Sequence, residues 1–274
     1  MSVSARRFLR KAALPSVWCP GCGNGITTKA LIEAVDGLGW NQDEVVVVGG
    51  IGCSGRTPFI LDFNTLHALH GRALAFATGI KLASPELNVI AVMGDGDATA
   101  IGGNHFIHAC RRNLDITALV YNNSIYGQTG GQLAPTTPMG MRSTTSMAGS
   151  VDCEFDICRL AAGAGASFVA RSTVYDFHEC RDLIKDALRH HGFSVIEILT
   201  NCPTYFGRLN DLKEPRDTIL HLRDLTEPSH EDHERHVREA AHRLGTGVLF
   251  CEERSEFLDR YDAARMIAGN EGRK

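Results

Sequence analysis

The feature that most restricts the fold of this sequence is a set of four continuous apolar runs, rich in valine and isoleucine, which are separated by helix-like segments. The apolar runs span 45–52, 88–96, 115–123 and 193–202. Runs without alternating polar residues are typical of strands buried on both faces. Apolar residues at helical spacing occur over 24–36, 66–83, 98–112, 155–164 and 176–190. This order predicts an α/β fold in which helices cover both faces of a parallel sheet.

The ends of these runs indicate where a ligand would bind. Each of the first three runs finishes in glycine, aspartate or asparagine. In open parallel sheets, ligands bind outside the carboxyl ends of the strands. We therefore look for the chemistry of this chain in the residues that follow its predicted strands.

The chain is predicted to have two parts. Residues 1–205 form the α/β domain, and residues 206–274 form a mostly helical C-terminal extension of the same subunit. Within the extension, 230–244 is predicted to be an amphipathic helix, followed by a strand at 248–253 and a last helix. The histidines of the predicted amphipathic helix, His230, His233 and His236, could be read as a metal site, but a solvated helix face is the preferred interpretation.

Composition excludes some classes of protein. An apolar content of 43% over 274 residues is that of a globular protein with a sizeable core. The net charge of -4 gives no electrostatic footprint for nucleic acid. The sequence shows neither a signal-peptide run nor a long apolar span, so we expect a cytoplasmic protein. Nine cysteines in a reducing compartment are expected to be thiols or metal ligands.

The segment WCPGCG at 18–23 places Cys19 and Cys22 two residues apart. Such a pair occurs in half of a zinc site, in a redox dithiol and in the ligand set of an iron-sulfur cluster. The pair alone does not distinguish between these three kinds of site.

The segment GDGDA at 94–98 begins at the end of the second apolar run. Gly94 and Gly96 would let backbone amides approach a diphosphate, and the helix after them would point its positive end at the same place. Asp95 is then available for a divalent cation. The next run ends in Asn122 and Asn123, whose amide oxygens suit magnesium. A lone GDG is most often a turn, but this pairing of two strand ends predicts a diphosphate bound with Mg²⁺.

Five motifs together resemble those of one family. They are WCPGCG, GIGCSGR, GDGDA, YNNSIYGQTGGQ and NCPTYFGR, which occur in family order between about residue 15 and residue 210. They resemble the beta subunit of 2-oxoacid:ferredoxin oxidoreductases, which bind thiamine diphosphate, and are most like the 2-oxoglutarate members. The resemblance implies a thiamine diphosphate-binding fold over 1–205 that also carries the iron-sulfur ligands.

The resemblance also implies roles for individual residues. Asp95 and Asn123 would bind Mg²⁺ through their side chains, and Ile125 through its backbone carbonyl. Other residues are expected along the diphosphate or close to the cofactor: Gly94, Gly96, Asp97, Gly52, Cys53, Ser54 and His70. His70 and Arg56 are the candidate catalytic residues.

By the same resemblance, the ligands of one 4Fe-4S cluster are Cys19, Cys22, Cys53 and Cys202. Four thiolates are the ligand set that such a cluster requires. A structural zinc site with the same four ligands is the alternative. The remaining cysteines are expected to pack as small apolar residues: Cys110, Cys153, Cys158, Cys180 and Cys251.

The implied reaction is the coenzyme A-dependent oxidative decarboxylation of a 2-oxo acid, with electrons passing through the cluster to ferredoxin. Arg56 at the mouth of the site would pair with the distal carboxylate of 2-oxoglutarate. Alternatively, Arg56 contacts a partner subunit or the diphosphate. Some relatives have a lysine where this sequence has Gly130, so a second positive group for the substrate is missing.

The chain is expected to need a partner. The resemblance implies an alpha subunit that supplies the rest of the active site, and an α2β2 heterotetramer. Several other functions stay open: specificity for pyruvate or a branched-chain 2-oxo acid, a non-redox thiamine diphosphate decarboxylase or synthase, and a non-catalytic iron-sulfur or zinc module.

Overall fold

The computed structural model describes residues 4–229 and 243–271, and ten strands lie in these residues. The strands are β1 Val45–Gly49, β2 Asn64–His67, β3 Asn88–Gly94, β4 Ile116–Asn122, β5 Ile125–Tyr126, β6 Gln132–Leu133, β7 Phe168–Thr173, β8 Phe193–Leu199, β9 Thr226–Pro228 and β10 Leu244–Cys251. Eight of them form one sheet with the order β2-β1-β3-β4-β8-β7-β10-β9, and β5 pairs with β6. All neighbours in the large sheet are parallel except β7 and β10.

Helices cover both faces of the large sheet. They are α1 Asn24–Leu38, α2 Thr57–Ile60, α3 Ala73–Ala83, α4 Gly103–Arg112, α5 Ile157–Ala164, α6 Phe177–Arg189, α7 Pro215–Leu225 and α8 Phe257–Glu271. The predicted α/β fold class is therefore confirmed. Within residues 4–229 and 243–271, we find no helix with the length and apolarity needed to cross a membrane.

The core explains why the strands read as unbroken apolar runs. Successive side chains of a strand point to opposite faces of the sheet. In β1, Val45 and Val47 pack in the cluster that contains Leu31 of α1, whereas Val46 and Val48 pack in the cluster that contains Leu74 of α3. Because each face is covered by helices, both sets of side chains must be apolar.

Several predicted segments differ from the structure. The segment 66–83 is not one helix, because β2 ends at His67 and α3 begins at Ala73. The predicted helix over 98–112 is interrupted, since a wide π-helical turn at Asp97–Ile101 precedes α4. Strand β7 was not predicted, because Arg171 and its polar neighbours break the apolar pattern of FVARST. Helix α7 was also missed.

The C-terminal part contributes to the large sheet. Strand β10 pairs antiparallel with β7 and parallel with β9, so both strands extend the same sheet. The predicted strand at 248–253 is found, but at Leu244–Cys251. The predicted helix at 230–244 lies outside the described residues except for its last two positions. The histidines His230, His233 and His236 lie entirely outside them. The division at residue 205 stays a prediction.

The topology brings the carboxyl ends of β1, β3, β4 and β8 to one edge. These four strands are adjacent and parallel. Backbone hydrogen bonds continue the alignment past the strand ends: Gly50 N donates to Val92 O at 2.9 Å, and Thr200 N donates to Asn122 O at 2.8 Å. The turns that carry the sequence motifs therefore meet at this edge.

Candidate functional site

A cavity at the carboxyl edge of the sheet gathers the residues predicted to hold the cofactor and Mg²⁺. Its lining includes all ten of them: Gly52, Cys53, Ser54, His70, Gly94, Asp95, Gly96, Asp97, Asn123 and Ile125. We call this space the cofactor cavity. Asn24, Tyr121 and Tyr126 also line it, although sequence reasoning did not identify them. The ligand roles of the predicted residues stay predictions.

Asp95 is buried just after the end of β3, in surroundings that suit a bound cation. Its carboxylate accepts a very short hydrogen bond from the hydroxyl of Thr136, and its backbone carbonyl accepts one from Thr99 Oγ1 at 2.8 Å. Burial raises the pKa of Asp95 to about 6, although the Thr136 hydrogen bond opposes this shift. A bound cation would favour the ionised form. Thr136 was missed because it follows no predicted strand and belongs to none of the motifs.

The two asparagines after β4 have different surroundings. Asn123 lines the cofactor cavity, and its Oδ1 accepts a hydrogen bond from Ile125 N at 3.2 Å. Asn122 is buried, and its Nδ2 donates to Glu197 Oε1 at 2.7 Å. Of the two amide oxygens that the sequence offered to a metal, only that of Asn123 belongs to a residue lining this cavity. The position of the two residues at a strand end did not distinguish them, whereas the family resemblance selected Asn123.

His70 and Asp97 form a close pair in the cofactor cavity. His70 Nδ1 makes a very short contact with Asp97 Oδ1, and the same oxygen accepts a hydrogen bond from Gly71 N at 2.7 Å. A side chain at Gly50 would overlap the other Asp97 oxygen. The Asp97 carboxylate, which was predicted to lie along the diphosphate, is thus engaged by His70. A carboxylate on Nδ1 fixes the imidazole and makes Nε2 a proton acceptor.

Two polar side chains of the cofactor cavity suit a diphosphate cofactor. The side-chain amide of Asn24 and the hydroxyl of Ser54 are buried and have no hydrogen-bond partner among the described residues. Buried polar atoms without a partner are costly, so a polar ligand would stabilise this arrangement. A side chain at Gly96 would overlap the ring of Tyr126. Glycine is required here to keep the backbone beside the cavity.

A second cavity contains the four predicted cluster ligands. It is lined by Cys19, Cys22, Cys53 and Cys202, and we call it the cysteine cavity. Four residues border both cavities: Cys53, Asn123, Gly127 and Gln128. A Cβ atom at Gly127 would lie 3.5 Å from Sγ of both Cys53 and Cys202. The predicted cysteine set therefore lies directly beside the cofactor cavity.

Local contacts hold the cysteine loops in place. Cys22 N donates to Cys19 O at 3.0 Å, which closes the turn between the two cysteines. Trp18 Nε1 donates to Cys53 O at 2.7 Å and so ties this loop to the turn after β1. Trp18 was present in the quoted motif, but its spacing gave no signal of this contact.

The cysteine cavity fits a centre that binds thiolates. Burial, followed by the neighbouring cysteines, raises the pKa of Cys53 to about 11. Burial is also the main cause that raises the pKa of Cys22 to about 12. A cationic metal centre would offset the cost of deprotonating these thiols. An iron-sulfur cluster meets this requirement, and so does zinc.

None of the other five cysteines lines either cavity. Cys110, Cys158 and Cys180 are buried, as expected for cysteines that pack as small apolar residues. The same prediction was wrong for Cys153 and Cys251, which are exposed. Cys153 belongs to no predicted helix or strand, whereas Cys251 lies in the predicted strand at 248–253 and is the last residue of β10.

Arg56 lies on the wall of the cysteine cavity rather than among the residues that line the cofactor cavity. Its Nε donates to Gln128 Oε1 at 3.3 Å, and its guanidinium lies 5.7 Å from the ring centroid of Phe59. Gln128 borders both cavities, so Arg56 is one side chain away from the cofactor cavity. The predicted position at the mouth of the site is compatible with this placement.

Comparison with protein families identifies the part of the chain that forms the cofactor cavity. Residues 50–198 match the model of the thiamine pyrophosphate enzyme C-terminal TPP binding domain. Thiamine pyrophosphate is another name for thiamine diphosphate. The matched range includes Cys53, Asp95 and Asn123, but Cys19, Cys22 and Cys202 lie outside it. The match thus supports thiamine diphosphate as the cofactor and leaves the cluster untested.

The most informative relatives are archaeal. The chain is 58% identical over 217 residues to the 2-oxoglutarate synthase subunit KorB of Archaeoglobus fulgidus, with 79% of each chain covered. It is 42% identical over 255 residues to the KorB subunit of Methanocaldococcus jannaschii, with 93% of this chain and 94% of the relative covered. The chain belongs to the KorB family. Proteins of this family are beta subunits of 2-oxoacid:ferredoxin oxidoreductases, so the resemblance and enzyme class expected from the sequence are confirmed.

A solved structure has the same fold as this chain. It is the 2-oxoglutarate:ferredoxin oxidoreductase from Magnetococcus marinus with 2-oxoglutarate, coenzyme A and succinyl-CoA bound. The TM-score is 0.89 at 32% sequence identity, and the match covers 98% of this chain and 91% of that chain. The likeness extends over nearly the whole of this chain.

Proposed function

We propose that this chain is the beta subunit of a 2-oxoglutarate:ferredoxin oxidoreductase. The enzyme would convert 2-oxoglutarate and coenzyme A to succinyl-CoA and carbon dioxide. Two electrons would leave one at a time through a single 4Fe-4S cluster to ferredoxin. The observation that carries this proposal is the common wall of the cofactor and cysteine cavities, formed by Cys53, Asn123, Gly127 and Gln128.

In this proposal, Mg²⁺ is held by the side chains of Asp95 and Asn123 and by the backbone carbonyl of Ile125. Carboxylate, amide and carbonyl oxygens are the hard donors that Mg²⁺ prefers. All three residues line the cofactor cavity. Thiamine diphosphate bound there would supply the nucleophilic carbon that makes decarboxylation of a 2-oxo acid possible.

The cluster is proposed to be bound by Cys19, Cys22, Cys53 and Cys202. A thiamine diphosphate enzyme without a redox step has no need of thiols beside its cofactor. The shared wall gives an electron acceptor in the cysteine cavity a short path to the cofactor. This arrangement favours the ferredoxin-linked reaction over a non-redox decarboxylase or synthase.

His70 is proposed to exchange a proton with the substrate through Nε2. Asp97 engages Nδ1, so Nε2 is the ring nitrogen left for a reacting group. His70 belongs to the lining of the cofactor cavity, where the substrate must meet the thiamine diphosphate. A proton taken up or given back at one fixed atom does not require the side chain to move.

2-Oxoglutarate is proposed as the substrate, with Arg56 paired to its distal carboxylate. A guanidinium forms two parallel hydrogen bonds with a carboxylate, which an uncharged 2-oxo acid side chain cannot offer. The names of the two archaeal relatives and the ligands of the Magnetococcus marinus structure support this choice. Contact of Arg56 with a partner subunit is the alternative.

An alpha subunit is proposed as the partner, in an α2β2 heterotetramer, with ferredoxin as the electron acceptor. The relatives are named as subunits, which implies at least one further chain in the enzyme. Apolar side chains around the two cavities are exposed, including Val17 at 74% and Phe59 at 47%. Their exposure in the isolated chain supports a partner that covers this side.

The test is the absorption spectrum of the enzyme purified without oxygen together with its alpha subunit. We expect a broad charge-transfer band that bleaches when 2-oxoglutarate and coenzyme A are added. A colourless protein with bound thiamine diphosphate would favour the non-redox enzymes instead. Bound metal without thiamine diphosphate would favour a non-catalytic module.

A further inference from the structure

A buried ion pair lies beneath the proposed Mg²⁺ site. Arg171 on β7 and Glu197 on β8 are paired in register, and their side chains are 5% and 2% exposed. Arg171 Nε donates to Glu197 Oε2 at 2.7 Å, and Arg171 Nη2 donates to Asp156 Oδ1 at 2.6 Å. Removing charges from water is expensive, so a buried pair is weak evidence for a role in stability alone.

The second oxygen of Glu197 reaches toward the cofactor cavity. Asn122 Nδ2 donates to Glu197 Oε1 at 2.7 Å. The other end of the same amide, Asn122 Oδ1, accepts a hydrogen bond from Ser124 N at 3.0 Å. A continuous series of hydrogen bonds therefore links Arg171, Glu197 and Asn122 to the backbone of the turn after β4.

This turn has an unusual backbone. Ser124 has a φ of 58°, in the left-handed region that residues other than glycine seldom adopt. Two hydrogen bonds hold it there, one from Ser124 N to Asn122 and one from Thr137 Oγ1 to Ser124 O at 2.7 Å. Asn123 and Ile125, the proposed ligands from this turn, lie on either side of Ser124. The directions in which the Asn123 side chain and the Ile125 carbonyl point therefore depend on the conformation of this turn.

We propose that Glu197, fixed by Arg171, is a positioning residue for the Mg²⁺ of the cofactor. Glu197 acts through Asn122, which holds the turn so that Asn123 and the Ile125 carbonyl face the same point as Asp95. The inference rests on the proposed function, because it assumes that these residues bind Mg²⁺. Partners one step behind metal ligands commonly control affinity by fixing ligand orientation.

The position requires a carboxylate. Glu197 has a donor on each side, Asn122 Nδ2 and Arg171 Nε, and an ionised carboxylate accepts at both oxygens. Glutamine has almost the same shape but only one acceptor oxygen. In the variant Glu197→Gln, the charge that pairs with Arg171 is lost. An N–H group must also face a donor on one side, so the hydrogen bond from either Arg171 or Asn122 is lost as well.

The experiment measures cofactor binding in the enzyme purified with its partner subunit. Thiamine diphosphate and Mg²⁺ are removed with a chelator, and the thiamine diphosphate bound at equilibrium is measured over a range of Mg²⁺ concentrations. For Glu197→Gln we expect the half-saturating Mg²⁺ concentration to rise about tenfold or more. Full binding should return at high Mg²⁺, because the ligands themselves are unchanged. For Asn122→Ala we expect the same rise in the half-saturating Mg²⁺ concentration and the same return of full binding at high Mg²⁺.

The matched control is Cys158→Ala. Cys158 Sγ contacts the same Glu197 oxygen as Arg171, at 3.4 Å, but it does not lie between Glu197 and the turn. We expect the half-saturating Mg²⁺ concentration of this variant to stay within about twofold of the wild-type value. A Cys158→Ala shift as large as that of Glu197→Gln would overturn the proposal, since any loss of packing would then suffice.

Two further outcomes separate the inference from the proposed function. If Glu197→Gln and Asn122→Ala both bind Mg²⁺ as the wild type does, the positioning role is wrong and the Mg²⁺ site stands. If the wild type binds thiamine diphosphate without a divalent cation, the Mg²⁺ site and the inference both fail. Should Glu197→Gln not fold, Asn122→Ala alone decides, because it leaves the buried ion pair intact.

Discussion

Cys53 and Cys202 follow different strands, β1 and β8, yet their Sγ atoms are equally far, 3.5 Å, from the position that a Gly127 Cβ would occupy. Gly127 also borders the cofactor cavity. A residue without a side chain thus lies between the two sulfurs and the cofactor cavity. A larger residue here would fill the space between the two cavities.

The cluster can be tested apart from the cofactor by changing Cys202. Cys202→Ala removes one of the four proposed ligands, and Cys202 lines the cysteine cavity but not the cofactor cavity. We expect the iron content and the charge-transfer absorption to be lost almost completely, while Mg²⁺-dependent thiamine diphosphate binding persists. Cys110→Ala, a change at a buried cysteine outside both cavities, is the control and should keep its iron. Normal iron content in Cys202→Ala would contradict the ligand assignment.

Asp95→Asn should separate cofactor binding from stability. An amide lacks the charge that binds Mg²⁺, so we expect thiamine diphosphate binding to weaken by about a hundredfold or more at fixed Mg²⁺, because loss of a partner one step behind a metal ligand already costs about 10- to 100-fold. Without the metal, the same variant should unfold at a higher temperature at pH 7.5, because burial makes the ionised Asp95 unfavourable. Thermal unfolding with and without Mg²⁺ measures both effects. A metal-free variant that is less stable than the wild type would contradict the second expectation.

The substrate assignment is tested at Arg56. In Arg56→Ala, the distal carboxylate of 2-oxoglutarate loses its proposed partner, so KM for 2-oxoglutarate should rise about tenfold or more, as for loss of a charged hydrogen bond. KM for pyruvate should change little. Arg189→Ala, at an exposed position near the end of α6, is the control. Equal changes for both substrates would leave partner or diphosphate contact as the role of Arg56.

The need for a partner predicts that the purified chain has no turnover by itself. The chain reconstituted with iron, sulfide, thiamine diphosphate and Mg²⁺ should not reduce ferredoxin with 2-oxoglutarate and coenzyme A. Addition of the alpha subunit should restore the reaction. Turnover by the chain alone would show that every catalytic group is present within these 274 residues.

The burial of His190 predicts how the stability of the folded protein depends on pH. Its Nε2 lies 2.7 Å from Ser167 Oγ, and burial lowers its pKa below the usual 6.5. The unfolded chain therefore takes up a proton at His190 more readily than the folded protein does. The contribution of His190 to stability is complete above pH 6.5 and declines as the pH falls through that value.

The measurement for His190 is thermal unfolding at pH 7.5 and pH 5.5. His190→Asn removes the titrating group, so the variant should lose less stability between these two pH values than the wild type does. His191→Asn is the matched control, because His191 is the exposed neighbour in the chain. The same pH dependence in His190→Asn and the wild type would show that this histidine is not responsible.

The sequence by itself determined the framework of the site. The valine-rich runs of β1, β3, β4 and β8 are local patterns, and they fix strands that must be buried on both faces. Parallel strands place their carboxyl ends at one edge, so motifs after these strands were expected to meet. Together with the family resemblance, that reasoning reached Cys53, Asp95, Asn123 and Cys202 before any distance was known. The quoted family motifs supplied their chemistry.

Only the tertiary structure decided which partners these residues have. It turns Asn122 to Glu197 and leaves Asn123 at the cavity, gives Asp95 the hydroxyl of Thr136, and pairs Asp97 with His70. It also adds β7, which was not predicted, and pairs the predicted C-terminal strand, β10, antiparallel with β7. The physical reason is that strand periodicity is set by near neighbours in the chain. Hydrogen bonds between distant side chains depend instead on the register of adjacent strands and the path of their turns.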